Sequence, residues 1–379
     1  MSNLSVEERL DLIKRNTEEI MGEDDLVTLL QDDEPIKHYI GFEISGLIHI
    51  GTGLMCMSKV KDFMDAGVQC SIFLADWHSW INDKLGGDRE VIKEASNYFK
   101  EGLKASLRAV GGDPDKVKFV LGTELYHNAD DYWACVIEIS KHTTLNRILR
   151  STTIMGRNEK ENIDFAKLIY PPMQVADIFY QGINLAHAGL DQRKAHVIAR
   201  EVGNKLKIKP LLNSKGEQIK PVAVHHHLLL GLQKPPKIPD TKEEMQELWS
   251  SMKMSKSIPD SAIFVTDEPD LIKKKLQKAF CPERDATFNP VLDWAKSLIF
   301  RDEHSVLEII RPEKYGGDKT YESYAALVED FVAGALHPAD LKSGVAAAIT
   351  TMLAPIREHF EEPEMQKMKE RMDEMTITR

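Results

Sequence analysis

Few folds accommodate residues 38–77 of this chain, HYIGFEISGLIHIGTGLMCMSKVKDFMDAGVQCSIFLADW. Tyr39, Ile40 and Phe42 form a short β-prone run that Gly46 breaks. A helix is expected to open near Gly51, with Leu54, Met57, Val60 and Met64 on one face and Ser58, Lys59 and Asp62 on the other. Gly67 stops it, and residues 70–75 are a continuous apolar run of the kind found in buried parallel strands. Strand, turn, helix and strand make the first crossover of a doubly wound sheet.

The turn of that unit, His49-Ile50-Gly51-Thr52-Gly53, sets an imidazole and glycine backbone at a helix N-terminus, where free N–H groups and the helix dipole favour an anion such as a nucleotide phosphate. The same pattern equally describes an ordinary turn with a hydrogen-bonded histidine. Far downstream, Lys253-Met254-Ser255-Lys256-Ser257 precedes a strand-like run at 262–265. Two lysines three apart, interleaved with serines, suit a loop that closes on polyphosphate, and they equally suit a solvated surface loop.

Length bounds the architecture: 379 residues hold two domains and a large core. With 60 acidic and 49 basic residues the net charge is −11, which excludes bulk electrostatic binding of nucleic acid and confines any RNA site to a local basic patch. Cys56, Cys70, Cys135 and Cys281 are scattered without a C-x-x-C pair, so reduced thiols are expected rather than disulfides or a zinc site. No apolar leader or membrane-length apolar stretch is present, and the expectation is a soluble cytoplasmic protein.

In chain order, residues 2–30 read as one or two amphipathic helices. A helix is expected over 88–110, a strand over 117–121, and a helical, polar insertion over about 125–169. Tyr170-Pro171-Pro172 marks a helix start, because proline is tolerated in the first turn. Gln174 and Asp177 then share a face, with Tyr170 one turn back. They suit either a satisfied core network or a pocket wall. A strand over 183–186, a turn at Gly189 and a helix from about 191 follow, with Gln192 placed above the carboxyl ends of the strands. Arg193, Lys194, Arg200, Lys205, Lys207 and Lys209 form a basic stretch. His225-His226-His227 resembles a metal run, but alternate imidazoles of a strand point to opposite faces and cannot share one ion. Residues 235–247 read as a surface excursion. From 268 onward helices dominate: 271–280, 291–298, 321–332, 341–352 and 364–375. The expected class is α/β, a Rossmann-type doubly wound parallel sheet over 1–265, with the lysine loop at about 250–260 and a helical C-terminal domain over 266–379.

Ordered motifs across nearly the whole chain, YIGFEISGLIHIG, FLADWHSWIND, LIYPPMQVADIFY, GLDQRKAH, KMSKS, RPEKYGGD and LHPADLK, resemble those of class I aminoacyl-tRNA synthetases, in particular the archaeal and eukaryotic tyrosyl type. The resemblance implies a homodimer joined through the insertion after Glu124, using L-tyrosine, ATP with Mg2+ and tyrosine tRNA, and no metal bound by the protein. It implies that Tyr39 and Asp177 hold the phenolic hydroxyl, that Tyr170, Gln174 and Gln192 hold the ammonium and nearby groups, and that Gly41, Glu43 and His78 line the same pocket. His49, Gly51 and Thr52 would meet ATP, and Lys253, Ser255 and Lys256 the departing pyrophosphate. In the helical domain Asp340 would read the first anticodon base between Tyr315 and His337, while Arg193 would reach the acceptor stem.

Two features depart from that pattern: Thr52 stands where the second histidine of the HIGH signature is expected, and the 235–247 excursion is long. Three other readings stay open. A tryptophanyl enzyme would share the fold, a non-charging RNA-binding paralogue would keep the RNA surface, and a small-molecule nucleotidyltransferase would have no use for the helical domain.

Overall fold

A computed structural model describes residues 4–157, 163–239, 241–254, 258–302 and 304–375. Its centre is a six-stranded sheet in the order β1-β6-β5-β2-β3-β4, with β1 Thr17–Met21, β2 Lys37–Phe42, β3 Gln69–Leu74, β4 Lys118–Leu121, β5 Leu185–Gly189 and β6 Val222–His226. Strands β2 to β6 are parallel; β1 runs antiparallel along the edge of β6. The topology is the doubly wound one, reversing between β2 and β5, and open sheets of this kind place ligands at the carboxyl ends beside that reversal.

Residues 38–77 fold as their pattern dictates. Strand β2 leads through a π-helical turn, Gly51–Met55, into the helix Cys56–Asp65 and back to β3, with Ile40 opposite Ile72. The helix face bearing Ser58, Lys59 and Asp62 is not solvated, however; all three side chains are buried. The Lys59 ammonium donates to the carbonyls of Leu12, Ile13 and Arg15 at 3.0, 2.6 and 2.6 Å, taking up orphan acceptors at the C-terminal end of the helix Val6–Lys14. Burial lowers this lysine to about 7, with the Asp62 carboxylate opposing the shift. Asp62 in turn holds Arg15 and Arg301.

The amino-terminal region also differs from expectation. Helices Val6–Lys14 and Glu23–Gln31 flank β1, where the sequence reads as helix alone. Pairing with β6 overrides the local helical pattern. Strand β5 starts two residues later than expected and runs to Gly189. Residues 262–265 form no strand, only a bridge between Phe264 and His49, although Ile50 N still donates to Ile263 O. Tyr321 ends a short strand, β8 Lys319–Tyr321, paired with β7 Leu307–Ile309, and the next helix spans Tyr324–Ala333.

Two large clusters of buried apolar side chains lie on opposite faces of the sheet, and a small third joins Ile154, Met155, Tyr170 and Ala195. The larger of the first two joins Ile40, Val60 and Ile72 to residues of the carboxyl-terminal helices such as Ile349 and Phe360. The other gathers Tyr39, Phe73, Tyr126, Tyr132 and Ile178 beneath the insertion. No helix among the described residues is long and apolar enough to cross a membrane.

Candidate active site

A cavity of about 720 Å3 opens above the carboxyl ends of β2, β5 and β6. Tyr39, Gly41, Glu43, His78, Tyr170, Gln174, Asp177 and Gln192 line one part of it; His49, Gly51, Thr52 and Lys253 line another. These residues come from points more than two hundred positions apart, and the doubly wound topology is what brings them together.

Asp177 is the floor of the first part. It lies on the helix Tyr170–Tyr180, whose prolines at the first turn set the start at Tyr170. Its Oδ1 accepts from the Tyr126 hydroxyl at 2.8 Å and the Tyr132 hydroxyl at 3.0 Å. Oδ2 lies 3.7 Å from His78 Nε2. Burial pushes the carboxyl up to about 8, although both tyrosine hydroxyls pull it down. The Tyr39 hydroxyl is shifted well upward by burial and by the charge of this same carboxylate. His78 is neutral, lowered to about 3 by burial, and neither ring nitrogen has a hydrogen-bond partner; its ring meets Tyr170 edge-on at 4.5 Å. Tyr126 and Tyr132 were not legible as site residues, because they sit on two different helices, Gly122–Tyr126 and Asp130–Lys141, whose spacing gives no shared face.

Above the floor, Gln174 Nε2 donates to Gln192 Oε1 at 3.2 Å, leaving the buried Gln174 Oε1 without a partner. Gln192 Nε2 donates to Ile154 O at 2.9 Å, so the backbone fixes which way its amide faces. Glu43 accepts from Asn82 at 2.8 Å and lies 3.5 Å from the Lys84 ammonium. Tyr170 is shifted well upward, by burial first and by Glu43 second. This wall offers acceptors and one carboxylate, a setting for a cation. A Cβ at Gly41 would meet protein atoms only at ordinary contact distance, so the missing side chain serves the cavity rather than the packing.

At the other end, the His49 carbonyl accepts from Thr52 N and Gly53 N, and its Nδ1 lies 3.2 Å from Thr52 N. The imidazole folds over Gly51, where a Cβ would stand 3.0 Å from two ring atoms. Lys253 pairs with Asp191 at 2.6 Å. Burial would raise the Asp191 carboxyl, but Lys253, with smaller contributions from Gln192 and His226, outweighs this and holds it below the ordinary range. Nothing in the local sequence marks Asp191 as the partner of Lys253, although it adjoins Gln192 in the GLDQRKAH motif. Ser255 and Lys256 lie outside the described residues.

The remaining predicted residues lie elsewhere. Arg193 is exposed and chelated by Glu19 at 2.8 to 3.0 Å. His337 caps the helix Pro338–Phe360 through Nδ1 to Ala339 N at 3.1 Å, and Asp340 lies in that helix's first turn. Arg311 ties this turn to the loop of Tyr315: it donates to Gly317 O and Ala335 O and lies 4.0 Å from Asp340. Tyr315 itself is exposed. The three histidines in a row have separate partners: His225 with His196 and Glu19, His226 with His187 and Cys56, His227 with Glu18 and Asp293.

The model for class I tRNA synthetases (W and Y) matches residues 31–354. The tyrosine–tRNA ligase of Thermococcus kodakarensis is 58% identical over 99% of this chain and 100% of its own length. That of Pyrobaculum calidifontis is 48% identical over 99% of this chain and 100% of its own. Among solved structures, the tyrosyl-tRNA synthetase of Pyrococcus horikoshii complexed with L-tyrosine superposes with a TM-score of 0.94 at 55% identity, covering 98% of this chain and 100% of that one. A tryptophanyl-tRNA synthetase from Aeropyrum pernix, 17% identical with a TM-score of 0.65, shares the fold. Matched over most of its length by the model and aligned nearly end to end with such relatives, the chain belongs to the class I tRNA synthetases of the tryptophan and tyrosine family.

Proposed function

We propose that this chain is a tyrosine–tRNA ligase whose site residues act as follows. The observation that carries the reading is the floor of the cavity, where Asp177 has one oxygen occupied by two tyrosine hydroxyls and the other turned toward His78 beside Tyr39. A phenolic hydroxyl can donate to Asp177 and accept from Tyr39. An indole has one donor and no acceptor, and phenylalanine has neither, so each would leave buried polar groups unpaired. The substrate ammonium is met by Tyr170, Gln174 and Gln192, with the unpartnered Gln174 Oε1 as its natural acceptor.

In the first step a tyrosine carboxylate oxygen attacks the α-phosphorus of ATP; the bond to the bridging oxygen breaks and pyrophosphate leaves. In the second, a ribose hydroxyl at the 3′ end of tRNA attacks the tyrosyl carbonyl, and AMP leaves with the bonding pair. Neither step needs a covalent group from the protein; both need positioning and charge stabilisation. Gly51, Thr52 and the helix N-terminus meet the phosphates with His49, while Lys253 and Lys256 offset the charge on pyrophosphate. Mg2+ would accompany ATP and would supply further charge stabilisation at its phosphates.

The helical region reads the anticodon. Asp340 accepts the two donors on the pairing edge of guanine, and Tyr315 and His337 stack on the base. Arg193 serves the acceptor stem by exchanging Glu19 for a phosphate. Exposed Ile137, Leu145 and Leu149 on the insertion supply an apolar face for a cytoplasmic homodimer. Sedimentation of Ile137→Glu should show a monomer where wild type is dimeric.

Pyrophosphate–ATP exchange with each proteinogenic amino acid tests the whole reading. Exchange confined to tyrosine, and lost or relaxed in Asp177→Ala, is expected. Exchange with tryptophan would move the assignment to the tryptophanyl enzyme, and no exchange would leave an RNA-binding paralogue.

A further inference from the structure

His227 stands where the chain leaves β6 and borders the cavity. Its imidazole lies between carboxylates from opposite ends of the sequence: Nδ1 is 2.7 Å from Glu18 in β1, and Nε2 is 2.6 Å from Asp293 in the helix Pro290–Trp294. With an acceptor on each nitrogen, both carry hydrogen and the ring is an imidazolium. Burial lowers its pKa, but the two acids outweigh this and raise it to about 9. Lys296 is the other charge near Glu18, and Trp249 meets the ring at 5.5 Å.

Asp293 has a second task. Its Oδ2 accepts from Leu230 N at 2.9 Å, while the neighbouring Trp294 indole donates to Leu230 O at 2.8 Å, so both polar groups of one backbone residue are held by this helix. Leu230 lies opposite Lys253 in an antiparallel bridge, with Gly231 N donating to Met252 O at 2.7 Å and Met254 N to Leu229 O at 2.8 Å. Lys253 therefore rides on a short ladder whose far side is clamped to the carboxyl-terminal helices.

We infer that Asp293, held by His227 and Glu18, is a positioning residue that fixes the backbone carrying Lys253 and couples the helical region to the phosphate end of the cavity. This rests on the reading that Lys253 serves ATP. Asp293 acts through Leu230 and not on substrate, so its loss should change the charge-stabilising step and leave tyrosine recognition alone.

Tyrosine-dependent pyrophosphate exchange, with thermal melting alongside, is measured on the full chain for wild type, Asp293→Asn, His227→Gln, Lys253→Ala and the Asp293→Asn/Lys253→Ala double variant. Asp293→Asn and His227→Gln should each lower kcat about tenfold and raise the KM for ATP, with the KM for tyrosine within about twofold of wild type. In the Lys253→Ala background Asp293→Asn should cost nothing further. An equal loss in both backgrounds, an unchanged kcat, or parallel changes in both KM values would overturn the inference. Unchanged exchange in Lys253→Ala would instead remove the parent reading of the lysine, a separate and visible outcome. Should Asp293→Asn not fold, His227→Gln with and without Lys253→Ala decides the matter by the same criteria.

Discussion

The two ends of the cavity are built differently. The end proposed for the phenol is made of side chains locked between packed helices: Tyr39, His78 and Asp177 are at most 3% exposed, and two further tyrosines hold the carboxylate from behind. The end proposed for the phosphates is made of backbone amides, a folded-over imidazole and a lysine borne on a segment outside the sheet. Lys253 is there already paired, with Asp191, and its side chain is 36% exposed. A half-exposed ion pair contributes about 1 kcal/mol or less, so a polyphosphate displaces it readily. On the assignment proposed above, amino-acid selection is preformed, whereas stabilisation of the leaving group needs an exchange of partners when ATP arrives.

Removing the floor should have the largest effect. Asp177→Ala is expected to lower kcat/KM for tyrosine about 100-fold and narrow the gap to phenylalanine, measured by exchange with both. Wild-type selectivity retained in this variant would break the comparison at its preformed end. Tyr126→Phe takes one donor from Asp177 and should raise the KM for tyrosine about tenfold with kcat little changed, because it disturbs ground-state and transition-state binding alike. At the phosphate end, Thr52→His restores a second imidazole and should raise kcat about threefold without moving the KM for tyrosine.

A separate expectation concerns stability rather than activity. His227 holds its proton more tightly folded than unfolded, 6.5 being the ordinary value and about 9 the folded one. Its contribution is therefore complete below about pH 6.5 and lost as pH rises through about 9, an effect on the order of 3 kcal/mol. Melting curves across that window should decline more steeply for wild type than for His227→Gln. Equal slopes would separate the clamp on Lys253 from this histidine.

What could be read in advance followed the local periodicities. The crossover of residues 38–77 and the helix start at Tyr170 depend on local patterns, and both form where expected or nearly so. Twelve of the predicted residues line one cavity because several short motifs each place a side chain at the carboxyl end of a strand or the start of a helix. Illegible features depend on contacts between remote segments. Strand β1 looks helical until β6 supplies its hydrogen bonds. Lys59 and Asp62 look solvated until the helix Val6–Lys14 and Arg301 cover them.

The sequence by itself determined the fold class, the chemistry offered at each motif and the family, since these reside in spacing and residue type. Only the tertiary structure decided that Tyr126 and Tyr132 orient Asp177, that Asp191 holds Lys253, and that His227 joins both ends of the chain behind the lysine. The physical reason is the same in each case. A buried charge is tolerated only with partners, and which partners arrive is set by how distant elements pack, not by the residues beside it in the chain.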